Sequence, residues 1–540
     1  MLPRELPAAT KDTLPMTLLP RLLCTGLVAC AVSLSGCHQD DPEVPDAGPP
    51  NTGANVERTD YVDVVPDVPC ADPDYAAPRA NCVDPGSFDL SGCDLGALGA
   101  VPPAATYRAI LRYTSQSAFG AGFRLSAQDS PGTLMGRRLV HEQVDAQGFF
   151  LTNEFTTSTK AVQRYALAGC RVPEPGRITG CFVRCTDGVP DYSGTFDARR
   201  MNWSQEPVRS PSLHLVSETA VTQGDPVDVY VTKGHAYVVS LPRGAEAGGL
   251  SVINVADKAH PVLVTTLNLP NDNYWNGVWA KGDALYIASA NSGVIVYDIT
   301  NPAAPQYVRS LPGGAINVHT VFVDGDRLYA MSPAPNGETL VFDVASPLDP
   351  QLQGRLSVPR EDPYGYPHDA FAYQDRLYVN HATTGYIVLD VTRPDVAPVL
   401  GTYTFAGQYS HANAVGTIDG RTIAFEGGER FGAHLRVLDV TNPARIRLLT
   451  QVKMRAETSI HNMVLQGTRL YVAWYHEGVR VFDVATPESP REVASFDTFN
   501  EFHPRSTDSL YQGAIGMRVP GDGVVYVVDL SRGLLMFDEP

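Results

Sequence analysis

Residues 459–484 read SIHNMVLQGTRLYVAWYHEGVRVFDV, and the run that closes them, VRVFDV (479–484), decides the reading of the C-terminal part. A short apolar run ended by Asp483 is the pattern of a buried strand entering a turn. Variants recur as LSVINV (250–255), VIVYDI (294–299), TLVFDV (339–344), YIVLDV (386–391) and LRVLDV (435–440), with a seventh, LLMFD (534–538), at the C-terminus. Their final Asn or Asp positions lie 44, 45, 47, 49, 44 and 55 residues apart. Repetition at this period marks stacked units, none of which can bury both of its faces alone.

Most units continue into a proline-containing turn, as in TNPAAPQYV (300–308) and ATPESPREV (485–493), and most are preceded by a two-strand signal such as TVFVDGDRLYAMS (320–332). Four short strands in each of seven units predict a seven-bladed β-propeller over residues 211–540. The seventh unit stops at Pro540 without a fourth strand, while PSLHLVSE (211–218) matches the fourth-strand segments PVLVTTL (261–267) and PREVASF (490–496). That N-terminal piece is expected to complete the last blade, which closes the ring and removes an exposed edge.

The repeated core follows a GLxVxDVxxPxxP-like pattern and resembles the LVIVD repeat of bacterial and archaeal surface β-propellers, across roughly residues 211–540. The closing stretch LYQGAIGMRVPGDGVVYVVDLSRGLLMFD (510–538) is similar to the last repeat of the choice-of-anchor surface group. The resemblance implies a propeller at a cell surface and names no reaction. WD-repeat and kelch signatures are absent.

The chain has 540 residues, with 41 Lys+Arg against 59 Asp+Glu and a formal net charge of −18, which disfavours nucleic acid as a partner. Its N-terminus reads as a targeting segment. Arg21 precedes LLCTGLVACAVSLSG (22–36), too short to cross a bilayer as a helix, and Leu34-Ser35-Gly36-Cys37 looks like a bacterial lipobox. Residues 1–36 are read as a lipoprotein signal peptide and Cys37 as the lipidation site, so the only membrane contact expected is the lipid anchor. His38 after the lipid cysteine, in place of Asp, points to the outer membrane of a Gram-negative bacterium. The Pro/Asp/Gly-rich residues 37–69 are read as a flexible tether.

Residues 70–210 form a separate region of short β-like runs, expected to be a small antiparallel barrel or sandwich. All six remaining cysteines lie there: Cys70, Cys82, Cys93, Cys170, Cys181 and Cys185. An even number in an exported chain predicts disulfides, with fifteen pairings open. The fold class is thus all-β, a seven-bladed propeller preceded by a small disulfide-containing barrel or sandwich.

The recurrent Asp298, Asp343, Asp390, Asp439 and Asp483 follow an apolar strand and precede a turn, where Asp accepts backbone N–H groups. They are read as turn caps, and Asp324-Gly325-Asp326 as a hairpin turn rather than a calcium loop. The histidines are more informative. His319, His368 and His461 each lie ten residues before Tyr329, Tyr378 and Tyr471, and His411 holds the same place in a unit with a longer turn. The corresponding positions elsewhere are Val227, Asn276 and Gln512. This is the start of the innermost strand, so four consecutive blades direct imidazoles at one axial opening. Loops on the same face add His381, Glu426, Glu429, His434 and His476.

Three or four imidazoles could hold a divalent metal, although repeat inheritance alone could supply them. No cofactor is otherwise indicated. The candidate ligand-binding or metal residues are therefore His319, His368, His411, His461, His476 and Glu426. Aromatic loops, NDNYWN (271–276), REDPYGYPH (360–368), FAGQYSH (405–411) and TFNEFHPR (498–505), suit a surface protein or glycan ligand. The leading expectation is a cell-surface binding module. The alternatives are a metal-dependent enzyme using the axial histidines and a passive envelope component.

Overall fold

The computed structural model describes residues 65–71, 82–113, 118–127, 130–157, 160–201, 211–360, 363–405, 409–430, 432–455 and 457–540. The segment expected to be a signal peptide, the expected lipidation site Cys37 and most of the expected tether lie outside the described residues. Residues 65–71 already pack on the fold: Val68 is buried in one cluster with Cys70, Cys181 and Phe150.

The N-terminal region is a closed antiparallel barrel, which settles the choice between barrel and sandwich. Pairing runs without a break through Gly148–Asn153, Arg137–Asp145, Thr133–Leu134, Ala118–Arg124, Thr106–Tyr113, Val189–Arg200, Arg177–Thr186 and Val162–Glu174. The last strand then returns to the first through Phe150↔Ala168 and Leu151↔Leu167, leaving no edge between them. Tyr107, Phe123, Phe149, Tyr165, Phe182 and Phe196 fill the interior. All six cysteines pair, as Cys70–Cys181, Cys82–Cys185 and Cys93–Cys170. Each bridge ties the segment before the barrel to one of two adjacent barrel strands. Closing loops of 77 to 111 residues restricts the unfolded chain strongly.

Seven four-stranded antiparallel sheets follow. Six are contiguous in sequence, and the seventh combines Ala514–Arg518, Val524–Asp529 and Gly533–Asp538 with Leu215–Thr219 from the start of the propeller. The expected closure is therefore observed, with Leu215↔Phe537 and Thr219↔Leu534 in register. One local device repeats across that junction. Four third strands, beginning at Gly249, Gly293, Gly478 and Gly533, open on a glycine with positive φ, such as Gly293 (φ 85), where a Cβ would stand 2.2 Å from the fourth-strand carbonyl of Leu311. Gly533 (φ 95) does the same against Thr219, the N-terminal strand, at 2.4 Å.

The turn aspartates act as expected. The N–H groups of Thr300, Ala345, Thr392, Thr441 and Ala485 donate to Asp298, Asp343, Asp390, Asp439 and Asp483 at 2.7 to 3.1 Å. Asp324 pairs with Arg327 across a hairpin, so the Asp-Gly-Asp segment is a turn.

Barrel and propeller meet on the face from which the innermost strands start. Arg200 pairs with Glu501 (2.9 Å) and Arg199 with Glu457 (2.9 Å). Asp508 accepts from Gly136 N–H (2.8 Å) and the Thr133 hydroxyl (3.0 Å), and Arg108 donates to the Asp508 carbonyl. Glu501 and Asp508 are fully buried, so the barrel seals this part of the face.

Candidate metal centre

The innermost strands share one register. Tyr237, Tyr286, Tyr329, Tyr378, Phe425, Tyr471 and Tyr526 pair with Tyr230, Trp279, Phe322, Phe371, Ala414, Val464 and Arg518. Three residues before each partner lie Val227, Asn276, His319, His368, His411, His461 and Ile515. This tier rings the axis at one level, and the strand partners form a second tier roughly 10 Å along it, at about 3.3 Å per residue. The last blade's counterpart is Ile515, not Gln512. Gln512 lies in the preceding loop and accepts from Thr507 N–H and the Ser531 hydroxyl, both at 3.1 Å.

The four histidines stand side by side. Ring centroids are 4.1 Å apart for His319–His368, 4.2 Å for His368–His411 and 4.4 Å for His411–His461. All four are buried, at 6%, 2%, 2% and 5% exposure in chain order. Burial holds every ring toward its neutral form. His319 falls to about 4 and His461 to about 3, while burial and the neighbouring imidazoles push His368 and His411 well below the usual histidine range. A neutral imidazole with a free lone pair is the form that binds metal. His461 Nδ1 donates to the Ile515 carbonyl at 2.8 Å, which places its proton on Nδ1 and the lone pair on Nε2. The carbonyls of His411 and His461 lie near the rings of His368 and His411, short of proper hydrogen-bond geometry, so those ring nitrogens have no hydrogen-bond partner.

Glu429 completes the cluster. It follows the second strand of the fifth blade, Arg421–Gly428, and its carboxylate meets His411 Nε2 at 3.4 Å, His461 Nε2 at 3.8 Å and His368 Nε2 at 3.9 Å. A metal bonded at about 2.0–2.1 Å to tetrahedral ligands separates them by about 3.3 Å. The histidine-to-carboxylate spacings exceed that by a few tenths of an ångström. His368, His411 and Glu429 bring one ligand atom each within 4.8 Å of one another, and His461 stands just outside that group. Tyr475 donates its hydroxyl to Glu429 Oε1, the oxygen that also faces His461 Nε2, and stacks edge-on against His461, 5.1 Å between centroids. Its φ of 32° is rare for an aromatic residue, a local strain of the kind found beside functional groups.

Other expected residues fall elsewhere. His319 flanks the cluster, with Nε2 3.2 Å from the Asn276 amide nitrogen. Glu426, expected as a ligand, sits on the strand itself: it accepts from the Ser410 hydroxyl (2.7 Å) and faces Arg436 Nε (3.3 Å). It braces the blade, and Glu429, three residues on, is the carboxylate at the axis. His476 packs edge-on against Phe499 at 4.5 Å, near Arg108 and Arg455, and is not among the converging ligands. His381 and His434 are buried in their loops. The repeat spacing exposed the histidines because each occupies one register position. It could not single out Glu429, which lies past the strand end where register no longer governs direction.

Residues 274–311 match the family model described as the LVIVD repeat, a span that coincides with the second blade, Trp275 through Leu311. The chain thus carries an LVIVD repeat within a seven-bladed β-propeller. No curated protein matches the chain. Among solved structures it is similar to the computationally designed Ika8 protein, at 11% identity over 60% of this chain and 100% of that one, with a TM-score of 0.42. It is also similar to the WD40 β-propeller domain of Doa1 (11%, 61% and 98%, TM-score 0.45) and to a chain of the mitotic checkpoint complex (12%, 62% and 95%, TM-score 0.46). At these scores the likenesses carry no argument; the fold rests on the strand pairing above.

Proposed function

We propose that the propeller is a binding module whose ligand is a single divalent transition metal, held at the axis by His368, His411 and Glu429, with His461 drawn in as the fourth ligand. One observation carries this reading: three imidazole Nε2 atoms converge on one carboxylate at 3.4 to 3.9 Å. The buried ring nitrogens of His368 and His411, which no hydrogen bond satisfies, support it. Each buried, unsatisfied polar group costs about 1–3 kcal/mol, and a bound cation would relieve that cost by ligation. Three nitrogens and one oxygen suit zinc, iron or copper better than calcium or magnesium, which prefer oxygen.

A protein or glycan at the rim has less support. Trp275, Tyr366, Tyr409 and Phe499, expected to form that surface, are buried, whereas Tyr364 and Phe502 are exposed. The three disulfides favour an oxidising compartment, in keeping with export and attachment through Cys37. The test is elemental analysis of the full chain, purified without a histidine tag, beside His368→Ala. About one equivalent of zinc, iron or copper, lost in the variant while its melting curve stays cooperative, is the expected result. Two preparations equally free of metal after exposure to each ion would end the proposal.

A further inference from the structure

Beneath the histidine tier, on the side away from the barrel, lies a cavity of ≈ 150 Å³. Its lining descends from His319, His368, His411 and His461 to the second tier, where Trp279, Phe322 and Phe371 form an aromatic wall. Tyr230, Trp279, Phe322 and Phe371 follow one another at 5.3, 4.6 and 4.9 Å between ring centroids. The histidine end is buried, and Trp279, Phe322, Phe371, Leu465 and Arg518 at the other end are half-buried, so the cavity opens at its aromatic end. An engineered apolar cavity of this volume accommodates benzene, which sets the occupant at about six heavy atoms.

Arg518 stands at this mouth with an unspent donor, its Nε. Its guanidinium lies over Trp279 at 3.9 Å and Tyr230 at 5.0 Å, and it donates to the Val278 carbonyl at 3.3 Å. Its buried Nε has no hydrogen-bond partner, although a guanidinium carries five N–H donors. Two carboxylates also line the cavity, and both are spent on other groups: Asp228 accepts from Val229 N–H (2.8 Å) and Val278 N–H (3.0 Å), and Asp369 from Ala370 N–H (2.8 Å) and the Thr320 hydroxyl (3.2 Å). Burial pushes both carboxyls up against the lowering pull of Arg518, so each is a weakened counter-charge to it. A planar cation flanked by aromatic rings, with an unsatisfied Nε and lining a small cavity, matches the fork geometry of a carboxylate.

We infer that the cavity is a binding pocket for a small organic carboxylate of about six heavy atoms, which enters past the aromatic wall, pairs with Arg518 and extends its far end toward the axial metal. This rests on the metal reading for what the ligand meets at the histidine tier, and the pairing with Arg518 can be tested apart from it. The experiment is equilibrium dialysis of radiolabelled butyrate against the zinc-treated full chain, with zinc content measured on the same samples. Saturable binding of one butyrate per chain is expected, displaced by unlabelled butyrate and at least tenfold less well by butanol or butylammonium. Arg518→Met should weaken it tenfold or more. Leu465→Trp, which narrows the cavity and leaves Arg518 in place, should weaken it too and guards against misfolding of the first variant. The inference is overturned if binding does not saturate, if butanol competes equally, or if both variants bind as the parent does. Zinc bound without butyrate overturns this inference alone. Butyrate bound without zinc supports Arg518 as a carboxylate site and removes zinc, though not iron or copper, as the axial metal.

Discussion

The outer corners of the blades and the tier of residues at the axis obey opposite rules. At the corners, six of the seven blades place an Asp or Asn two residues before the turn N–H that it accepts, from Asn254 through Asp298 to Asp483. At the axis the equivalent seven positions hold Val227, Asn276, four histidines and Ile515. A corner serves its own blade, so the same local geometry selects the same residue each time. The axis is one place shared by all blades, and nothing local requires imidazole there. Uniformity across repeats therefore reports scaffold, and asymmetry among equivalent positions reports a site.

That contrast can be broken at its strongest point, the glycine that repeats across the closure. Gly533→Ala places a Cβ against the Thr219 carbonyl in a left-handed conformation, and should lower stability by roughly 2–4 kcal/mol in urea unfolding. Gly293→Ala should cost a similar amount, because the last blade uses the same device with a strand from the other end of the chain. A Gly533 variant as stable as the parent would mean the junction contributes little to the fold.

The two glutamates sharpen the comparison. Glu429→Gln should weaken zinc affinity at least 100-fold, or about 2.7 kcal/mol, with little change in the melting of the metal-free protein. Glu426→Gln should do the reverse, keeping zinc while losing roughly 1–2 kcal/mol of stability as Arg436 loses its buried carboxylate partner. Titration with a competing chelator, read beside thermal melts, separates them. If Glu426→Gln lost the metal and Glu429→Gln did not, the centre would be misplaced. The smallest effect is expected at a corner: Asp298→Ala removes one turn bond and should cost about 1 kcal/mol with zinc affinity unchanged.

Much of this was legible in advance for a physical reason. The VRVFDV-type runs, their turns and the strand supplied by residues 211–218 express periodicity, and periodicity is set by contacts within a blade or between neighbours. The four histidines were legible as well, since a two-strand hairpin of constant turn length keeps register over the ten residues from His368 to Tyr378. Beyond strand ends the signal fades. The loop after Gly428 carries Glu429 to the axis and leaves Glu426 on the strand, and composition does not distinguish them. Gln512 failed as the seventh counterpart because its own unit is longer than the others, and the pairing of Arg518 with Tyr526 moves the position to Ile515. The aromatic loops looked like a display surface, yet Trp275 hydrogen-bonds to Asp272 and Tyr366 to Tyr409 within the fold.

The amino-acid sequence by itself determined the class of fold, the number of blades, the closure and the capping aspartates, because each depends on short-range pattern. Only the tertiary structure decided the barrel, the pairing of six cysteines, the choice of Glu429 and the cavity beneath the histidines. Those features depend on where segments far apart in the chain come together, and no local pattern encodes a distance between Glu429 and His368.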